Sequence, residues 1–161
     1  MIHDFSFSKA NFTEKLLDAE TAYQNFLNTP LNSELADTLA QKIWQCTDYA
    51  HRENLCHCQS DKIKKCQEQI RKQCKALSAI NDICDSAKHA GIDRTSINLQ
   101  QSFQKPGAFS AGFSCGFDTS ALVVVYPDGT TTNFLDIATE ALEFIRANFC
   151  NGDNKKSNAP I

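Results

Sequence analysis

Apolar residues recur at helical spacing through most of the first ninety positions. Phe12, Leu16, Ala19, Tyr23, Phe26 and Leu27 step by three and four, and Asn11 with Glu14 makes a capping pair ahead of them. Thr29-Pro30 stops that helix. A second stripe, Leu35, Leu39, Ile43, Cys46 and Ala50, runs through Ser33 to Leu55. A third, Ile63, Cys66, Ile70, Cys74, Leu77, Ile80, Cys84 and Ala87, predicts one long helix from Ser60 to His89, with Gly91 as its stop. Only Cys56 to Gln59 joins the last two helices, so the expectation is a long antiparallel helical hairpin.

Past Gly91 the period falls to two. Ile97, Leu99 and Phe103 alternate with polar neighbours. In Phe109 to Phe117 (FSAGFSCGF), the apolar Phe109, Ala111, Phe113, Cys115 and Phe117 fall on one face and Ser110, Gly112, Ser114 and Gly116 on the other. Ser120 to Tyr126 is a further strand, Pro127-Asp128-Gly129 a hairpin turn, and Thr130 to Leu135 the return. Asp136 is placed as the cap of a last helix with Ile137, Ala141, Leu142, Ile145 and Phe149 inward. The expected fold is α+β: a three-helix N-terminal part, an antiparallel meander of about four strands, and a C-terminal helix on one sheet face. Residues 1–150 are expected to form a single domain and residues 151–161 a disordered polar tail.

Composition narrows the function classes. The 161 residues carry a net charge of −3, which argues against a general nucleic-acid binder. The longest apolar run, Ala121 to Tyr126, is strand-sized, so no membrane span is expected. The opening MIHDFSFSKANF lacks the features of a secretory signal, and a cytoplasmic location is expected. In that setting the eight cysteines would be reduced, and three of them, Cys66, Cys74 and Cys84, sit on the third helical stripe as small hydrophobes would.

Gly112-Phe113-Ser114-Cys115-Gly116 fits the G-x-S-x-G pattern of a hydrolase nucleophile elbow. The alternation around it is that of a strand rather than a strand-to-helix turn. All four histidines, His3, His51, His57 and His89, lie upstream, opposite to the chain order of that fold. Cys115 faces the aromatic side and reads as a buried, inert thiol.

Nine residues separate Cys46 from Cys56, and nine separate Cys74 from Cys84. This spacing resembles the twin CX9C helical hairpins of the mitochondrial intermembrane space, and the resemblance implies pairs Cys46–Cys84 and Cys56–Cys74. Such pairing requires the chain to reverse near residue 65, inside DKIKKCQEQIRKQC, a run of strong helix formers. The turn signals place the reversal near residue 58, with Cys74 roughly 20 Å along the next helix at about 1.5 Å per residue. Arg52 and His57 spell R-x4-H, which resembles the motif of HEPN ribonucleases, and that resemblance implies that the two residues bind and activate an RNA phosphate.

Cys56, His57 and Cys58 in the inter-helix turn, with Cys66 about two turns on and His51 about one turn before, form the sharper cluster. Thiolate and imidazole donors suit zinc or copper(I). Finally, Lys62, Lys64, Lys65, Arg71, Lys72 and Lys75 lie off the third stripe and form one outward ridge, opposed only by Asp61 and Glu68. Residues 1–60 hold four cations against eight acids.

With no catalytic constellation assembled, the leading expectation is a non-enzymatic interaction protein of the inhibitor, immunity or adaptor type. Lys64, Lys65, Arg71, Lys72 and Lys75 would meet an acidic protein partner, a toxin or an enzyme, and Ser110 and Ser114 would line a flat sheet platform. The alternatives are a metal-binding protein using Cys56, His57, Cys58 and Cys66, with zinc as cofactor, and a ribonuclease-like or hydrolase enzyme.

Overall fold

The computed structural model describes residues 10–56, 58, 60–89, 101–105 and 120–150. Helix α1 (Phe12–Asn28) begins in a complete capping box, the Asn11 side chain accepting from the Glu14 N–H while the Glu14 carboxylate accepts from the Asn11 N–H. Helix α2 (Ser33–Arg52) starts on Asn32, whose side chain accepts from the Leu35 N–H. Both helices turn most of their stripes inward: Phe12, Leu16, Ala19 and Phe26 from one, and Leu39, Ile43, Cys46 and Ala50 from the other, are buried, whereas Leu27, expected on the first stripe, is exposed at the end of α1.

The single helix expected over Ser60–His89 is two. Helix α3 (Ile63–Gln73) and helix α4 (Lys75–His89) meet at Cys74, whose backbone is extended at φ −134°, ψ 108°. No proline or glycine causes this break. The Cys74 N–H still donates to Ile70 O, and its carbonyl accepts from Ser78 N–H, so one residue closes α3 and opens α4. Burial explains why the axis changes. Helix α3 buries only Cys66 and Ile70, the narrow stripe of a surface helix. Helix α4 is buried nearly all round from Ala76 to Asp82, including Ser78, Asn81 and Asp82. It packs against α2, α3 and α5 (Phe134–Phe149), the arrangement of a central helix. A straight continuation of α3 could not serve both environments. The antiparallel hairpin of two long helices is thereby replaced by a bundle in which α2 packs mainly against α1 and α4.

Strands β1 (Gln101–Lys105), β2 (Ala121–Val125) and β3 (Thr131–Asn133) form an antiparallel meander in that order, three strands among the described residues where about four were expected. The expected strand over 109–117 lies outside the described residues. Leu122, Val124 and Tyr126 alternate toward the core, as the period of two requires. The β2–β3 turn needs Gly129 at φ +80°, and Asp128 accepts from the Thr130 N–H and hydroxyl at 2.9 and 2.6 Å.

Helix α5 starts at Phe134 on Asn133, three positions before Asp136, which therefore sits inside the first turn rather than capping it. Phe134 is drawn into the core by an edge-to-face contact with Phe26, ring centroids 5.2 Å apart, so the helix must begin before Asp136. The carboxylate still lies favourably near the helix N-terminus. Ile137, Ala141, Leu142, Ile145 and Phe149 are buried, as the sequence period requires. No helix among the described residues is long and apolar enough to cross a membrane.

Candidate metal centre

The centre is made by the way α2 ends. Asn54 adopts φ 56°, the left-handed conformation. Its N–H donates to His51 O at 3.1 Å, and the Leu55 N–H donates to Ala50 O at 2.8 Å. These two bonds are those of a Schellman motif, with asparagine in the position that glycine most often takes. The chain therefore folds back over the last turn of α2 and carries Cys56 toward His51. Glu53, at the helix end, accepts from the Phe12 N–H at 2.6 Å and so ties this corner to the start of α1.

Helix α3 closes the other side. The Ser60 hydroxyl accepts from the Lys62 N–H, and the first turn of α3 brings Cys66 inward. Gln67, next along, donates to Asp48 at 2.7 Å and to Thr47 at 3.2 Å, which fixes α3 against α2 one turn from His51. Burial pushes the Asp48 carboxyl above the usual carboxylate range, against the opposing pull of Lys88, the Gln67 hydrogen bond and His51.

The result is a compact donor set. His51 Nδ1 lies 3.9 Å from Cys56 Sγ, and the Cys66 thiol donates to Cys56 Sγ at 2.6 Å. One ligand atom from each of His51, Cys56 and Cys66 falls within 4.8 Å of the others. Donors bound at about 2.0–2.3 Å around a tetrahedral zinc sit roughly 3.5 Å apart, so small side-chain adjustments would bring the three onto one ion. Cys66 is fully buried and Cys56 nearly so, while His51 and Cys58 are half-buried. Cys58 lines the same cavity of about 120 Å³ as Cys56 and Cys66, walled by Ile70 and Phe149 and rimmed by Gln69, Gln73 and Asn148. Burial, followed by the closeness of Cys56 and Cys58, pushes the Cys66 thiol well above its ordinary range.

Of the four residues proposed from sequence as ligands, the structure brings together Cys56, Cys58 and Cys66. His57 lies outside the described residues. His51, which the sequence places one turn before the cluster, supplies the imidazole.

Three further thiols behave as packing. Cys46, Cys74 and Cys84 are buried on their stripes, and burial pushes all three thiols up, that of Cys46 to about 12. Cys46, Cys56, Cys74 and Cys84 are all free, so neither pair implied by the twin CX9C resemblance is present, and Cys56 meets Cys66 instead. Arg52 of the R-x4-H motif lies 5.8 Å from the Tyr49 ring centroid. Ser110, Ser114 and Cys115 lie outside the described residues.

The basic ridge is divided by the break at Cys74. Lys64, Lys65, Arg71 and Lys72 belong to α3, with Lys72 paired to Glu68 at 2.8 Å. Lys75 belongs to α4 and stacks over the Tyr126 ring, 3.9 Å from its centroid. A feature the sequence did not disclose is a cavity of about 300 Å³ between α2, α4 and the sheet, walled by Ala36, Ile83, Phe103, Leu122 and Phe134 with Asp37 at its edge. Comparison with protein families, with curated proteins and with solved structures yields no match to this chain.

Proposed function

We propose that the chain is a metal-binding protein that holds zinc through Cys56, Cys66, His51 and Cys58. One observation carries the reading: three soft or borderline donor atoms, from the end of α2, the connection after it and the first turn of α3, converge within 4.8 Å. Thiolates with an imidazole form a ligand set that suits zinc, and four protein donors leave no open position, which is the pattern of structural rather than catalytic sites. The ion would staple α3 to α2 where α3 itself contributes only two buried side chains. Its binding free energy would then be folding free energy for this corner.

Zinc added to reduced, chelator-treated protein and followed by gel filtration should be retained at one equivalent per chain. Cys56→Ser and Cys66→Ser should each release most of it to a competing chelator that the unaltered protein withstands. Retention below about half an equivalent in the unaltered protein would discard the reading.

A second reading rests on the outer face of α3. Lys62, Lys64, Lys65 and Lys72 are exposed there, on a chain whose net charge is −3. Such a face suits an acidic protein partner. A complex recovered from native lysate should dissociate with salt and be lost in a Lys64→Glu/Lys65→Glu variant. Equal recovery by that variant would exclude the ridge as the contact.

A further inference from the structure

The Cys66 thiol does more than complete a donor set. It is held directly against the Cys56 sulfur at 2.6 Å. The two residues are ten positions apart and belong to different elements, so the contact is tertiary, made by the α2 turn on one side and the α3 helix on the other. Cys56 and Cys66 line one small cavity, and among the described residues Cys58 is the other cysteine that lines it. Cys46 and Cys84 are buried on the stripes of α2 and α4, and Cys74 is buried at the break between α3 and α4. Thiols arranged as a contacting pair are placed to form a bond with each other, whereas an isolated buried thiol climbs the oxidation ladder alone or stays inert.

We propose that Cys56 and Cys66 form a reversible disulfide on exposure to a hydroperoxide, and that this bond expels the metal. The Cys56 sulfur gives up its proton and attacks the outer oxygen of the peroxide. An S–O bond forms, the O–O bond breaks, and the other oxygen leaves with a proton as water or an alcohol. The Cys66 sulfur then attacks the resulting sulfenic sulfur, the S–O bond breaks, and the hydroxyl leaves with the Cys66 proton as water. Two electrons pass from the sulfur pair to the peroxide, and an S–S bond remains. Cys56 is the more accessible of the two, 8% exposed against 0% for Cys66, which sets the order of attack. Two of the four donors are consumed by the bond, and His51 with Cys58 alone makes a weak site. The release of metal rests on the zinc reading above; the bond does not.

Trypsin separates the two cysteines, since Arg52, Lys62, Lys65 and Arg71 bound one peptide from Glu53 to Lys62 and another from Cys66 to Arg71. Metal-free protein treated with hydrogen peroxide, alkylated, digested and run without reductant should give these two peptides joined, with two thiols fewer per chain than before treatment. Fragmentation of the joined species in the unaltered protein should place the bond on Cys56. The link should persist in Cys58→Ser and disappear with excess dithiothreitol. A bond mapped to Cys58, or peroxide products found only as unlinked sulfinic acids, would overturn the proposal. In a parallel arm with zinc-loaded protein, a chromogenic chelator should report release of one equivalent as the link forms. Full retention of zinc by linked protein would overturn the expulsion step. Protein that forms the link but never retained zinc would remove the metal reading and leave the disulfide standing.

Discussion

Leu77→Ala is expected to lower the free energy of unfolding by about 2–5 kcal/mol, the range for removing a leucine side chain from a packed interior. Leu77 is fully buried on α4, the helix packed against α2, α3 and α5. The matched control is Leu17→Ala on α1, where the side chain is 61% exposed and the change should stay within about 0.5 kcal/mol. Denaturant midpoints of the two variants, compared at unchanged slope, measure the difference. Equal midpoints would mean that α4 is not central. The Leu77 variant should still retain zinc at one equivalent, because no donor lies on α4, and this separates damage to the scaffold from damage to the site.

Zinc at a hundredfold excess over its dissociation constant should stabilise the folded chain by about 2.7 kcal/mol. For a chain of this size that corresponds to a rise in melting temperature of roughly 5–10 °C. Calorimetry or thermal fluorescence with and without the ion measures the shift, and EDTA should reverse it. Cys66→Ser should abolish the rise, while Cys150→Ser, at the exposed end of α5, should leave it intact. An equal rise in the Cys66 variant would place any bound zinc away from this corner.

Regular periodicity was legible in the sequence because it records burial directly. The stripes of α1, α2 and α5, the capping box at Asn11 and the Asp128-Gly129 turn all follow from residue spacing and side-chain chemistry. The break at Cys74 was not, because the stripe runs through it unbroken and no residue there opposes a helix. A subtler signal was present. In α3 only Ile63, Cys66 and Ile70 are apolar, whereas small and apolar residues crowd a whole turn from Ala76 to Ile80. A narrow stripe followed by an all-round one marks a passage from surface to interior, and here the chain makes that passage with a break in the helix.

For the site, local spacing identified Cys56, Cys58 and Cys66 and favoured the adjacent His57. The approach of Cys56 to His51 depends on a left-handed residue at Asn54, which sequence permits without requiring. The anchoring bond from the Phe12 N–H to Glu53 spans 41 positions and has no local signature at all.

The change of direction at Cys74 also divides the molecule energetically. Because α3 is a separate rod holding two buried side chains and tied to α2 by the Gln67 bridge, local opening of this corner would detach it from α2 before α4 and the interior behind it unfold. Detachment carries Cys66 away from Cys56 and His51. The lifetime of that opened form would then govern how fast an ion enters or leaves.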